Sequence, residues 1–169
     1  MDKHILVAYA SKYGATKEIA EKIGEVLTRN GEKVEVFPAE MVKDLTRFEA
    51  VILGSAIYVG KWPKESAQFL RVNEKSLADR QCWVFSSGPS GEGDPVALVE
   101  GKLVPSDLQA TIDRIHPHDV TVFNGNVNPE KLNAIEKWAI KSVVKKPFGD
   151  YRNWDAIESW ADRIAATLK

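Results

Sequence analysis

A short segment rich in hydroxyl groups lies between an apolar run, residues 5–10, and a helical pattern that begins near Ala15. It consists of Ser11, Lys12, Tyr13, Gly14, Ala15 and Thr16. Where a strand ends and a helix begins, unpaired backbone N–H groups meet the positive end of the helix dipole, and together they bind anions. The hydroxyls, the ammonium and a glycine that permits close approach add to this site. The segment therefore predicts a phosphate-binding loop, with simple capping of the helix by Ser11 or Thr16 as the alternative.

A second segment that could bind a ligand follows another apolar run, residues 50–54. Aliphatic and aromatic side chains stand beside a glycine here, in a loop where polar residues normally prevail, and such side chains can cover the face of a flat ring. Its residues are Ser55, Ala56, Ile57, Tyr58, Val59, Gly60, Lys61 and Trp62. The alternative is that the larger side chains simply pack onto the following helix.

A third segment, at the end of the apolar run 81–86, is rich in glycine. It contains Ser86, Ser87, Gly88, Pro89, Ser90 and Gly91. Backbone N–H and C=O groups in such a loop can meet the polar edge of a heterocycle, although a flexible turn would have a similar composition. A phosphate site at one end and a covered ring at the other together describe a mononucleotide ligand.

Five short runs of apolar or β-branched residues alternate with helical patterns and position these three segments. The runs are residues 5–10, 33–37, 50–54, 81–86 and 120–123. The first, third and fourth are continuously apolar, as in strands covered on both faces, whereas the second and fifth alternate, as in edge strands. This pattern predicts an α/β fold, a doubly wound three-layer sandwich around a five-stranded parallel sheet in the order 2-1-3-4-5. Ligands of such sheets bind at the carboxyl ends of the strands, where the three segments must converge.

Helical periodicity and end signals predict the elements between the strands. The apolar face of the first helix is formed by Ile19, Ile23, Val26 and Leu27, and its stop signal by Asn30 and Gly31. The other predicted starts are Pro63, a capping box of Ser106 and Gln109, Pro129 and the cap Asn153. The helix from Pro129 is predicted to turn Leu132, Ile135, Trp138, Ala139 and Val143 to one side.

The bulk composition fits one domain over residues 1–169. Of the 169 residues, 44% are hydrophobic and 28% are charged, and the formal net charge of -1 gives no reason to expect a nucleic-acid partner. The single cysteine, Cys82, lies in an apolar run and is interpreted as a core residue. The sequence begins without a basic and then apolar leader, and no apolar run approaches the ~20 residues of a membrane-spanning helix, so we expect a cytoplasmic protein.

Several other chemistries lack their motifs. Neither G-x-x-x-x-G-K-[ST] nor G-x-G-x-x-G follows the first strand, and that strand does not end in the aspartates of a receiver domain. No Ser-His-Asp constellation supports hydrolysis. His116 and His118 flank a proline in a turn, where imidazoles are more often solvated or capping groups than ligands, so no metal is predicted.

The first segment resembles the phosphate loop of flavodoxins, [ST]-x-x-G-x-[ST] after the first strand, and this resemblance implies a flavodoxin-like fold and bound FMN. Three stretches, residues 54–62, 86–89 and 149–157, resemble the flavodoxin-domain branch that contains menaquinone-dependent protoporphyrinogen dehydrogenase. By position, residues 11–16 would bind the FMN phosphate, residues 55–60 would flank the isoalloxazine, and residues 87–91 would meet its pyrimidine edge. The flavin carries the electrons, so no side chain need be catalytic.

The resemblance implies two kinds of function. One is a quinone-linked oxidoreductase that oxidises a porphyrinogen-like substrate in heme biosynthesis. The other is an electron-transfer flavodoxin that serves protein redox partners. The near-neutral net charge argues against the second, because flavodoxins that carry electrons between proteins are acidic.

Two further expectations concern tuning of the flavin and membrane contact. The Val59-Gly60 peptide can rotate to bond flavin N5, because glycine tolerates both orientations, and this would shift the one-electron potentials. Residues 128–147 resemble, in position only, a long insertion of the dehydrogenase. Its Lys141, Lys145 and Lys146 most simply complement a helix dipole, and alternatively they meet anionic lipid in a peripheral contact at the inner face of the membrane.

Overall fold

The computed structural model of the protein describes residues 4–89, 91–127, 129–131, 133–138 and 149–169. Five strands form its main sheet and lie close to the predicted runs. They are β1 (His4–Ala10), β2 (Lys33–Pro38), β3 (Ala50–Ala56), β4 (Gln81–Ser87) and β5 (Asp119–Phe123). Two short strands, β6 (Asn126–Val127) and β7 (Gly149–Asp150), form a separate antiparallel pair.

The main sheet is parallel throughout, and its strand order β2-β1-β3-β4-β5 confirms the predicted topology. The register places Ala10 of β1 opposite Ser55 of β3, and Ser55 opposite Ser86 of β4. The carboxyl ends of the three central strands therefore meet at one edge of the sheet, where ligands of this fold bind.

Helices and short 3-10 turns connect the strands. The helices are α1 (Ala15–Arg29), α2 (Lys64–Val72), α3 (Glu74–Ala78), α4 (Pro95–Leu98), α5 (Gln109–Ile115), α6 (Ala134–Trp138) and α7 (Trp154–Leu168). The 3-10 turns are Ala39–Met41, Ser106–Leu108 and Pro129–Lys131. The turns at 39–41 and 106–108, together with α4, fall in or near stretches whose sequence pattern is too weak to predict an element.

Helices cover both faces of the sheet, as the continuously apolar central strands predict. Side chains alternate along β1, so that Ile5 and Val7 enter a core completed by α1 and α7, while Leu6 and Ala8 enter a second core. The second core contains apolar residues of α2, α3 and α5. Because β1, β3 and β4 are buried on both faces, polar groups near the sheet are confined to the strand ends.

Two helix ends are confirmed in detail. The helix α1 stops at Arg29, and Gly31 takes a left-handed conformation with φ +91° after it. The side chain of Asn153 accepts a hydrogen bond from Ala156 N at 3.1 Å and so caps α7. These ends follow from local sequence, because each needs only a residue that tolerates positive φ or offers an acceptor.

Other helix predictions are wrong or incomplete. Ser106 and Gln109 form no capping box, since the segment begins as a 3-10 turn without a side-chain cap and Gln109 Nε2 donates to Asp113. The helix after Pro63 is interrupted at Asn73, whose side chain donates to Phe69 O at 2.9 Å and competes with the helical backbone.

The predicted helix after Pro129 is a 3-10 turn followed by α6. Two residues of its predicted apolar face, Ile135 and Trp138, are 78% and 62% exposed. Its other predicted members lie outside the described residues: Leu132, Ala139 and Val143. The basic residues Lys141, Lys145 and Lys146 lie outside them as well.

Gly54 allows an aromatic ring to lie across the centre of the sheet. A Cβ atom added to Gly54 would stand 2.0 Å from Cζ of Phe85, its neighbour on β4. The Phe85 side chain is fully buried, and its ring packs against Phe123 and Trp160 with centroid separations of 5.6 and 5.9 Å. The ring therefore has no open space into which it could retreat.

We expect Gly54→Ala to lower the free energy of unfolding by roughly 1–3 kcal/mol, because overpacking displaces the Phe85 ring. Urea denaturation measures the loss. In the double variant Gly54→Ala/Phe85→Leu the smaller side chain makes room, so the loss should be less than the sum of the two single losses. Simple additivity would contradict a clash between these two residues.

Candidate functional site

The predicted phosphate loop turns sharply at Gly14. This residue takes φ +92° and immediately precedes α1, which has no side-chain cap. The first hydrogen bond of the helix runs from Glu18 N to Gly14 O, so the N–H groups of residues 15–17 precede the helical ladder. Ser11 Oγ accepts Gly14 N–H at 3.0 Å and so holds the turn. The loop therefore presents the positive end of a 15-residue helix at the carboxyl edge of β1.

Tyr58 joins the second predicted segment to this loop. Its hydroxyl accepts Lys12 N–H at 3.1 Å, and its ring meets that of Tyr13 edge-on at a centroid separation of 5.8 Å. Burial raises the pKa of Tyr58, so its hydroxyl stays protonated at neutral pH. Because the oxygen already accepts from Lys12, its proton is available to an acceptor in the loop.

The second and third segments also contact one another. Ile57 N donates to Ser87 O at 2.8 Å, which extends the pairing of β3 with β4 beyond the strand ends. A Cβ atom on Gly88 would lie 2.9 Å from Ile57 O, so only glycine permits this approach. Gly125 N in turn donates to Pro89 O at 2.9 Å. All three predicted segments therefore converge at one edge of the sheet.

Several predicted site residues lie inside the protein. Ser55 is fully buried, and its Oγ lies 2.7 Å from Ser66 Oγ. Ser86 Oγ accepts the indole N–H of Trp62 at 3.0 Å. Thr16, Ala56, Ser87 and Pro89 are buried as well. The hydroxyls of Ser55 and Ser86 are engaged within the protein, and a ligand role for these residues stays a prediction.

The tip of the second segment is a strained turn. Tyr58 and Lys61 exchange backbone hydrogen bonds of 2.8 and 3.0 Å across Val59 and Gly60. Both central residues have positive φ, +50° at Val59 and +73° at Gly60. Glycine adopts this conformation freely, whereas a β-branched residue is strained in it, and such strain concentrates at functional sites. Val59 is also 82% exposed, so this strained peptide lies at the surface.

Two residues that sequence reasoning did not select, Lys131 and Glu136, also contact the phosphate loop. Lys131 Nζ donates to Tyr13 O at 3.0 Å. Glu136 Oε2 lies 2.8 Å from Lys12 Nζ and also accepts the Tyr13 hydroxyl. A local signal for Glu136 exists in Asn133, since the two residues form the reciprocal bonds of a capping box. Their contact with the loop has no such signal.

Arg152 supports the helical side of the loop. Its guanidinium is bound by Asp150, with Nη2 2.8 Å from Oδ2, and Nη1 lies 3.5 Å from Glu18 and 3.4 Å from Ala15 O. The hydrogen bonds from Arg152 hold the pKa of Asp150 below its usual range, and those from Asp150 raise the pKa of Arg152. This charged group is thus fixed by carboxylates beside the first turn of α1.

A cavity of about 550 Å³ opens beside the phosphate loop, a size typical of small-molecule sites. Residues of the loop, including Ser11, Lys12 and Gly14, form one wall. Tyr58, the turn after β2 and the start of α2 form the others. The described part of the loop after β4 lies outside this cavity, so the open space begins at the phosphate end of the predicted groove.

The other candidate chemistries find no support in the described part of the chain. It contains no group of three or more His, Cys, Asp or Glu residues placed to hold a metal ion. The ring of His118 stacks on Trp83, and its backbone N donates to Cys82 O. Among the described helices, none has the length and apolar character needed to cross a membrane.

A sequence profile of the flavodoxin domain matches residues 6–152. The chain belongs to the flavodoxin domain family. Proteins of this family bind FMN, and the chain is a flavodoxin-like FMN-binding redox protein. The loop fits the phosphate of that cofactor, since α1 lacks a side-chain cap and Gly14 exposes its first N–H groups at the rim of the cavity.

Solved structures share the flavodoxin fold at low sequence identity. A flavodoxin from the domain Archaea is 18% identical with a TM-score of 0.62, and the alignment covers 98% of each chain. Flavodoxin 1 from Bacillus cereus is 15% identical with a TM-score of 0.62, covering 99% of this chain and 100% of that one. Rubredoxin oxygen:oxidoreductase from Desulfovibrio gigas is 13% identical with a TM-score of 0.64, and the match spans only 36% of that longer chain. No curated protein sequence matches the chain significantly.

The thiol of Cys82 should be inert in the folded protein. Burial raises its pKa to about 12, so at pH 8 almost no thiolate forms. We expect iodoacetamide to label the native protein at least about a hundredfold more slowly than the urea-unfolded chain, as followed by mass spectrometry. Equal labelling rates would place this residue at the surface.

Proposed function

We propose that the protein is an FMN-dependent oxidoreductase that takes electrons from a reduced, porphyrinogen-like substrate and passes them to a quinone. The observation that carries this proposal is the resemblance of residues 54–62, 86–89 and 149–157 to the branch containing protoporphyrinogen dehydrogenase. The described geometry supports it, because these stretches meet around one edge of the sheet. Ile57 bonds to Ser87, and Arg152 reaches Ala15 O in the phosphate loop.

In this proposal the chain holds and orients the cofactor. Bound FMN would supply the electron-accepting ring. The first N–H groups of α1 and the hydroxyl of Ser11 would bind the phosphate, and Tyr58 would donate its proton to it. Residues 57–60 would lie against the ring, and Gly88 and Gly91 would offer backbone groups to its polar edge.

Access to the ring fits a bulky substrate and a quinone. The tip at Val59 is exposed, so the ring edge beside it would be open to a second molecule. A quinone resides in lipid, and we therefore place the protein at the cytoplasmic face of the membrane in peripheral contact. The exposed apolar side chains of Ile135 and Trp138 support such a contact.

The second candidate function is an electron-transfer flavodoxin that exchanges electrons with protein partners. One observation favours it: the structural likeness to single-domain flavodoxins extends over 98% or more of both chains. The formal net charge of -1 favours the first candidate, because a strongly acidic surface is what steers a carrier to a basic partner.

An anaerobic assay separates the two functions. The FMN-loaded chain is mixed with protoporphyrinogen and menaquinone, and porphyrin fluorescence and quinol are measured. We expect both products to form together, in proportion, and only when all three components are present, with apoprotein as the control. No turnover, combined with rapid reduction of the bound flavin by a flavodoxin reductase, would establish the carrier instead.

The strained tip generates a prediction about redox potential. A Cβ atom at Gly60 meets nothing within 4 Å, so Gly60→Ala changes only the conformational preference of the Val59-Gly60 peptide. Positive φ costs an L-residue roughly 1–2 kcal/mol, and the one-electron potentials should shift by tens of millivolts in spectroelectrochemical titration. Gly101→Ala is the matched control, with φ +77° and equally open space. Equal potentials in both variants and the wild type would remove a role for this peptide.

A further inference from the structure

We propose that Lys131 is the cation that binds the phosphomonoester of the cofactor, and that Glu136 withholds the more obvious candidate, Lys12, from it. The inference rests on the proposed FMN site and names which of its charges acts. It also gives a role to a segment more than a hundred residues beyond the phosphate loop, for which the sequence suggests none.

Lys131 is placed at the most open point of the phosphate loop. It ends the 3-10 turn Pro129–Lys131 and crosses to the loop, where its Nζ donates to Tyr13 O at 3.0 Å. The same Nζ lies 3.6 Å from the position that a Cβ atom on Gly14 would occupy. An ammonium group has three donors, so one bond to Tyr13 O leaves two for a phosphate at the Gly14 turn.

Lys12, by contrast, is already neutralised. Its Nζ lies 2.8 Å from Glu136 Oε2, and this bond holds the pKa of Glu136 below its usual range, so the carboxylate is charged at neutral pH. The Tyr13 hydroxyl donates to the same oxygen. The other oxygen of Glu136 accepts Asn133 N at 3.2 Å, and Asn133 Oδ1 accepts Glu136 N at 2.8 Å, so the carboxylate is fixed in place.

The remaining described cations that contact the loop or begin its helix also face carboxylates. Arg152 is bound by Asp150 and Glu18. Lys17 lies 3.9 Å from Glu21, one turn along α1. Within this described set, Lys131 is the cation whose contacts at the loop are with a backbone carbonyl and not with a carboxylate. A phosphate dianion would therefore gain most of its side-chain charge compensation from Lys131.

The proposal predicts selectivity for the phosphorylated flavin. Apoprotein is titrated separately with FMN and with riboflavin, and binding is followed by quenching of flavin fluorescence. Lys131→Met should weaken FMN binding about tenfold or more and leave riboflavin binding unchanged, because only FMN carries the phosphate. Lys131→Arg retains the charge and should restore most of the affinity. Lys137→Met removes a lysine from the same segment and should have no effect.

A second variant tests the role of Glu136. Glu136→Gln releases the charge of Lys12, so FMN should bind at least as tightly as to the wild type. In the double variant Lys131→Met/Glu136→Gln the freed Lys12 should recover part of the affinity lost in Lys131→Met. Inorganic phosphate should compete with FMN in the wild type more strongly than in Lys131→Met.

Three outcomes would overturn the proposal. FMN affinity unchanged in Lys131→Met would show that this lysine does not bind the phosphate. Equal losses for FMN and riboflavin would assign Lys131 a structural role only. Wild-type apoprotein that binds neither flavin would remove the proposed function itself and this inference with it, an outcome distinct from the other two because it appears before any substitution.

Discussion

The left-handed turn at Gly14 is the constraint on which the site depends. β1 ends at Ala10 and α1 begins at Ala15, so the chain must reverse direction within four residues at the centre of the sheet. Glycine at φ +92° makes this reversal possible without strain, and it points the positive end of a long helix at the carboxyl edge of β1. Partners from three distant parts of the chain, Tyr58, Lys131 and Arg152, then gather around this turn.

The buried parallel sheet makes that gathering reproducible. Its central strands are covered on both faces, and a register shift would expose an apolar row and bury polar strand ends. Gly54 lets the Phe85 ring lie across β3, and this close packing fixes β3 against β4. The loops that continue from these two strands therefore approach one another closely enough for Ile57 and Ser87 to bond. Precision at the edge is a consequence of rigidity in the core.

Charge at the site is distributed by residues outside the shared loop. Members of the flavodoxin domain family bind FMN, which supplies the electron chemistry, so differences among them must arise in what surrounds the cofactor. Here the segment that follows β5 contributes both a lysine and a carboxylate to the loop. The same segment exposes Ile135 and Trp138, so cofactor binding and surface contact are linked through a few residues.

The sequence by itself determined the five strands, their order and the three segments that meet at the sheet edge, because strand periodicity and end signals such as Asn153 are local. It did not determine how side chains are shared across the fold. Ser55 and Ser86 lie in the predicted segments, yet their hydroxyls bond to Ser66 and Trp62 inside the protein. Lys131 and Glu136 reach the loop from 118 and 123 residues away from Tyr13. Such contacts depend on how packed elements orient their ends, and only the tertiary structure decides that.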